Sequence, residues 1–210
     1  MQRDYHKSGN SENDEEERLP YPYTVDTFMA YVDAILPRTT GLAREYGEVQ
    51  FFGALDLLTY EYIIYTLNFG GDTPLAEQTA RMLNIAARQF VILQGFRKLL
   101  KDTKFKNGGT FSALSPKDRL RVIMLLKQFT IYLADLPYLF RYQPDFVLTL
   151  IGALSKYTMM GYYTEWYGYG ASRLSPPNDR VLEFYPVSWE QISYPGPSLG
   201  YRALREQPMP

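Results

Sequence analysis

TPLAEQTARMLNIAARQFVILQGFRKLL, residues 73–100, places Leu75, Ala80, Leu83, Ala86, Phe90, Leu93 and Leu100 at the spacing of one helix face. Thr73 offers a capping hydroxyl, and Pro74 suits a first helical position, whose N–H would have no intrahelical partner. The pattern predicts a helix of about 27 residues, roughly 40 Å long, as the spine of a helical bundle. Working outward, FFGALDLLTYEYIIYTLNFG (51–70) predicts a helix apolar on most sides, hence central, closed by Gly70-Gly71. Before it, Val25, Phe28, Met29, Val32, Ile35 and Leu36 share one face of a helix capped by Thr24 and ended by Pro37.

Downstream, Asn107-Gly108-Gly109 marks a turn, and Ser115-Pro116 repeats the cap-plus-proline signal with Asp118 in the first turn. That helix is expected to turn Leu120, Ile123, Met124 and Leu126 inward. Leu136-Pro137 and Gln143-Pro144 break the chain, and Pro144 opens a helix through Phe146, Leu150, Ile151 and Leu154 to about Met160. The expected fold class is all-α, a bundle of about five or six helices over residues 20–161. Residues 162–210, rich in Pro, Gly and aromatics, lack a helical period. They are expected to form an extended segment of the same domain packed over the bundle. Prolines 176, 177, 186, 195 and 197 stiffen it, and one short strand is expected over Val181–Tyr185. Residues 1–19, with Glu15, Glu16 and Glu17 in a row, are too polar to offset ordering entropy and read as a disordered, solvated acidic arm.

Composition narrows the chemistry. With no cysteine, thiol catalysis, disulfides and thiolate metal sites are excluded for these 210 residues. The one histidine, His6, lies in the acidic arm, where nothing would hold an imidazole within reach of a target. A net charge of −1 and a pI near 5.9 argue against nucleic acid as a partner. Arg88, Asp145 and Lys156 interrupt the apolar helices, so no transmembrane span is expected. Asp56 and Glu61, five residues apart, do not share a helix face, and Asp26 and Asp33 read as a solvated stripe. Gly70-Gly71-Asp72 and Gly168-Tyr169-Gly170 match no phosphate-binding fingerprint. No catalytic residue, metal site or cofactor is expected in this chain.

Aromatic residues make up 16% of the chain, with 19 tyrosines, and their clustering near the C-terminus selects the candidate interface residues. These are Tyr162, Tyr163, Trp166, Tyr167 and Tyr169, followed by Trp189, Tyr194, Pro195, Gly196 and Tyr201. Three readings of these rings stay open: packing that pins the segment to the bundle, anchors for a partner protein, or a platform for stacking sugars. The last would make the chain a stand-alone carbohydrate-binding or scaffold protein.

Taken in order, Ile35-Leu36-Pro37, FSALSPKDR (111–119), Leu148-Thr149-Leu150, Gly161-Tyr162-Tyr163-Thr164, Trp189 and Ser193-Tyr194-Pro195-Gly196-Pro197 resemble the gluconate 2-dehydrogenase subunit 3 family over roughly residues 25–202. The resemblance implies a non-catalytic small subunit that binds and stabilises a large flavoprotein of the glucose–methanol–choline (GMC) oxidoreductase type, often with a c-type cytochrome. FAD and the catalytic groups would belong to the partner. Phe111, Leu114, Arg119, Gly161, Tyr162, Tyr163, Tyr194, Pro195 and Gly196 are carried over as fold or interface positions. The acidic N-terminus departs from the twin-arginine signal common in that family. As written the chain is expected to be cytoplasmic, whereas the resemblance also admits a periplasmic or membrane-associated complex.

Overall fold

A computed structural model describes residues 22–94, 103–191, 193 and 194. Helices run over Pro22–Ile35 (α1), Ala43–Tyr46 (α2), Thr59–Phe69 (α3), Ala76–Leu93 (α4), Gly109–Ala113 (α5), Pro116–Lys127 (α6), Pro144–Tyr163 (α7) and Val187–Gln191 (α8). There is no strand among the described residues, and the fold is all-α. Five helices of eleven residues or more, α1, α3, α4, α6 and α7, form the bundle. The acidic arm, Pro195, Gly196, Tyr201 and the predicted end of the spine helix at Leu100 lie outside the described residues.

The centre of the bundle is α1, not the spine predicted over 73–100. It packs against α3, α4, α5, α6 and α7, and Phe28, Ala30, Tyr31 and Val32 are fully enclosed. Several local expectations change with this. Thr73-Pro74 does not open α4. The helix starts at Ala76, whose N–H is taken by Asn68 Oδ1 at 3.1 Å from the end of α3. Thr24 lies within α1 rather than capping it. The predicted helix over 51–70 forms only from Thr59, because Leu58 takes a left-handed conformation (φ 53°) that interrupts the turns before it. Ser115 does cap α6, its Oγ accepting from the Asp118 N–H at 3.2 Å with Pro116 at the first helical position.

The inward face of α6 also departs from expectation. Leu120 and Met124 face solvent, while Arg119, Val122, Ile123 and Leu126 are buried. Arg119 sets this rotation. Its Nη2 donates to the Ser112 carbonyl at 2.6 Å, Nη1 reaches Ala30 O and Asp33 Oδ2 at 3.4 Å each, and Nε faces Phe111 O at 3.4 Å. Its guanidinium carbon lies 5.2 Å from the centre of the Phe105 ring. Asp33 also pairs with Lys104 at 3.0 Å, and Asp26 accepts from the Asn107 N–H, so this acidic face of α1 is a docking surface for residues 104–119 rather than a solvated stripe. Asn84 ties the same region to α4, accepting from Phe111 N–H at 2.9 Å and donating to Thr27 Oγ1 at 3.1 Å.

Helices α3 and α7 approach closely where Gly161 faces α3. A Cβ on Gly161 would meet Tyr62 Cδ1 at 2.9 Å and Thr59 Cγ2 at 3.0 Å. After α7 the chain makes short helical turns at Tyr167–Ser172 and Pro177–Asp179, and α8 then packs on the turn at Glu48–Phe51. The segment expected to be wholly extended is therefore partly helical. Val181–Tyr185 is not a strand: among the described residues its backbone meets only the carbonyl of Gly168 and the hydroxyl of Ser172. Without a second extended segment beside it no ladder can form.

Replacing Arg119 by Leu removes the 2.6 Å donor to the buried Ser112 carbonyl and the weaker contacts to Phe111 O and Ala30 O, and leaves Asp33 with Lys104 alone among the described residues. Urea unfolding should show a loss on the order of 3–5 kcal/mol. Arg121→Ala removes only the exposed pair with Asp118 and should cost less than about 1 kcal/mol in the same assay.

Candidate functional site

The C-terminal aromatics do not form one open platform. Trp166 is 1% exposed. Its ring meets Tyr62 edge-on at 5.2 Å and Tyr65 at 6.0 Å, and its Nε1–H donates to the Leu58 carbonyl at 3.1 Å. The Arg180 guanidinium lies over Tyr65, Trp166 and Tyr169 at 4.7, 5.4 and 5.9 Å, so the open side of this group is already taken by a cation from the same chain. Arg173 bridges to Glu61 of α3 with Nε to Oε2 at 2.5 Å, and Ala171 N–H is received by Glu183. Gly170 stands at φ 48° against that carboxylate, where a Cβ would overlap Glu183 Oε2. The Gly168-Tyr169-Gly170 motif is thus a tight crossing of the chain over itself, not a ligand loop.

A second group, Tyr185, Trp189 and Tyr194, stacks separately, with Trp189 buried and 4.8 Å from Tyr194. Tyr162 is buried as well, its hydroxyl set between the carbonyls of Val49 and Phe52 at 3.0 and 2.9 Å. Tyr167 and Tyr169 are half-buried, while Tyr163 and Tyr194 face solvent. Of the positions carried over from the family resemblance, Phe111, Leu114, Arg119, Gly161 and Tyr162 are all core positions. Neither Asp56 nor Glu61 is positioned as half of an acid–base pair: Asp56 binds Arg38 and the Gly53 N–H, and Glu61 binds Arg173.

The most exposed tyrosines lie elsewhere, on the connection from α6 to α7. Tyr132, Tyr138 and Tyr142 are 68, 83 and 74% exposed, and Leu120, Met124 and Phe129 beside them in sequence also face solvent. Leu120 and Met124 are one turn apart on the outer face of α6. This connection is firmly held. Gln89 of α4 accepts from the Tyr132 N–H at 2.7 Å and donates to the Tyr132 carbonyl and to Asp135. The bonds Thr130 N–H to Leu125 O and Phe129 N–H to Leu126 O close α6 in a Schellman cap. A phenylalanine at φ 53° occupies the position that glycine usually takes there, and Tyr142 at φ 59° closes the connection. Bulky side chains held left-handed at both ends cost on the order of 1–3 kcal/mol each, the pattern of a shaped surface rather than a slack loop. No periodicity marks this stretch, so the sequence offered no signal beyond its tyrosine content.

Beside it opens a cleft of about 880 Å³ between the start of α1, the outer face of α4 and residues 135–141. Arg81, Arg88 and Arg141 line it together with Glu77 and Asp135. Arg81 is paired with Glu77, whereas Arg88 and Arg141 make no ion pair among the described residues. Guanidinium groups so placed suit carboxylates or phosphates. Among the described residues no group of three or more His, Cys, Asp or Glu side chains is placed to hold a metal ion, and no helix is long and apolar enough to cross a membrane.

Compared with protein-family models, curated proteins and solved structures, the chain matches none.

Burial, reinforced by the neighbouring Tyr163 and Asp56, pushes the Tyr162 hydroxyl from its ordinary 10.0 up to about 12. The fold favours the neutral phenol, so this stabilisation is complete below pH 10 and is lost as pH rises from about 10 to 12. Burial likewise pushes Tyr31 up to about 12. Thermal unfolding should therefore show the melting temperature falling across that window. Tyr162→Phe, costing about 1 kcal/mol at pH 8 for the lost hydrogen bond, should show a shallower fall above pH 10.

Proposed function

We propose that this chain is a non-catalytic accessory subunit that binds and stabilises a large flavin-dependent dehydrogenase of the GMC type, one that oxidises a sugar or sugar acid. FAD belongs to that partner, and a c-type cytochrome is a further candidate member of the complex. The observation that carries an interaction role is the rigidly held connection presenting Tyr132, Tyr138 and Tyr142 to solvent. Tyrosine combines a large apolar face with a polar tip and loses little side-chain entropy on binding, which suits it to interface anchors. Leu120 and Met124 of α6 and Phe129 at its end are exposed apolar side chains that precede this connection. The kind of partner is supported by the ordered motifs that resemble gluconate 2-dehydrogenase subunit 3. Of the C-terminal candidates, Tyr163 and Tyr194 remain accessible to a partner, while Trp166 serves the fold.

A stable subunit interface should bury on the order of 2,000 Å² in total. The test is co-expression with a GMC-type flavoprotein from the same genome, followed by pull-down. Serine in place of Tyr132, Tyr138 and Tyr142 should weaken the complex at least about tenfold with the melting temperature of the isolated chain nearly unchanged. Trp166→Ala should do the reverse, costing about 3–5 kcal/mol of stability. The proposal fails if the flavoprotein is soluble and active alone and does not co-purify. A triple-serine chain that binds as well as the native one would remove the tyrosine connection from the interface.

A further inference from the structure

The arginine-lined cleft has features that the interface reading does not use. Two of its guanidinium groups, Arg88 and Arg141, face solvent without an ion pair among the described residues. The nearby acids are engaged: Glu77 by Arg81, and Asp135 by Gln89. With those acids engaged, the cleft carries an excess of positive charge.

A stretch of opposite charge lies close to the cleft in sequence. Residues 1–21 lie outside the described structure, and the cleft wall begins with Tyr23 and Thr24, the second and third residues of α1. Glu12 and Asp14–Glu17 hold five carboxylates within six residues, while Arg18 is the only basic residue between Glu12 and Tyr23. Glu17 is six residues from Tyr23, a reach of up to about 20 Å. A tether this short holds the carboxylates at an effective concentration of about the millimolar range. We propose that the cleft is a carboxylate-binding site and that its resident ligand is the acidic arm of the same chain, residues 12–17, set against Arg88 and Arg141. A second carboxylate-bearing ligand reaching these arginines then has to displace the arm. The inference does not rest on the accessory-subunit reading.

The chain has no cysteine, so Ser11→Cys gives a single attachment point for a nitroxide in the full-length protein. Paramagnetic broadening would be read at the methyl groups of Ile85 and Leu136 in the cleft, with Val187 of α8 as a reference. At about 20 mM salt Ile85 and Leu136 should broaden several-fold more than Val187, and the excess should largely vanish at about 0.5 M salt, where exposed charge pairs are screened. It should also vanish in Arg88→Gln/Arg141→Gln and in Glu15→Gln/Glu16→Gln/Glu17→Gln. Arg88 and Arg141 are exposed and Glu→Gln preserves side-chain shape, so these chains should fold. Broadening at the cleft no greater than at Val187 overturns the proposal. So does an excess that persists in both charge-neutralised chains, since tethering alone would then explain the proximity.

Discussion

Arg119 carries its guanidinium fully inside the bundle, and the arrangement of α1, α5 and α6 is organised by what that charge requires. Burying a guanidinium is tolerable only if its donors are met and its charge is answered. Carbonyls from Ala30, Phe111 and Ser112, the carboxylate of Asp33 and the face of Phe105 together meet that need. These partners come from three separate stretches of chain. The side chain therefore acts as a register pin: a turn of α6 about its axis, or a slip of residues 105–112 along α1, would leave a buried charge exposed to unpaired dipoles. That rotation is what puts Leu120 and Met124 outside, and it carries the chain toward the tyrosine-bearing connection that follows.

The aromatic residues divide into two populations by position rather than by type. Those after Tyr163 serve mostly as mortar. Trp166 closes the groove between α3 and the final segment, Arg180 caps the ring group, and Trp189 seats α8 near residues 48–51. Those between α6 and α7 are presented to solvent on a backbone fixed by Gln89 and by a strained helix end at Phe129. Rigid presentation lowers the ordering cost of binding, which is why such a surface suits a partner better than a slack loop of the same composition. The tyrosine connection also forms one wall of the arginine-lined cleft through residues 135–141, so the two features share a border.

Much of the helical layout was legible in the sequence because it rests on interactions a few residues long. Ser115 caps α6 through a hydroxyl three residues from the N–H it receives, and the apolar period of residues 144–160 matches α7. Errors arose where a distant group won. Thr73-Pro74 looked like a helix start, but Asn68 from the preceding helix takes the first N–H of α4. The strand expected at Val181–Tyr185 had strand-forming residues but no partner, and a strand exists only as a pair. Arg119 enters only through the family resemblance, and no pattern around it foretells burial, because the carboxylate that answers its charge is 86 residues away.

The sequence by itself determined that the described chain folds as helices, where α1, α6 and α7 run, and that no thiol chemistry is available to it. Hydrogen bonds between near neighbours and a 3.6-residue apolar period are local quantities, so they can be read along the chain. Only the tertiary structure decided which helix is central, which aromatic rings are mortar and which face solvent, and that three arginines from α4 and the α6–α7 connection meet at one cleft. Burial and charge environment depend on residues brought together from far apart in sequence. Identical tyrosines can therefore be enclosed at position 162 and open at position 138.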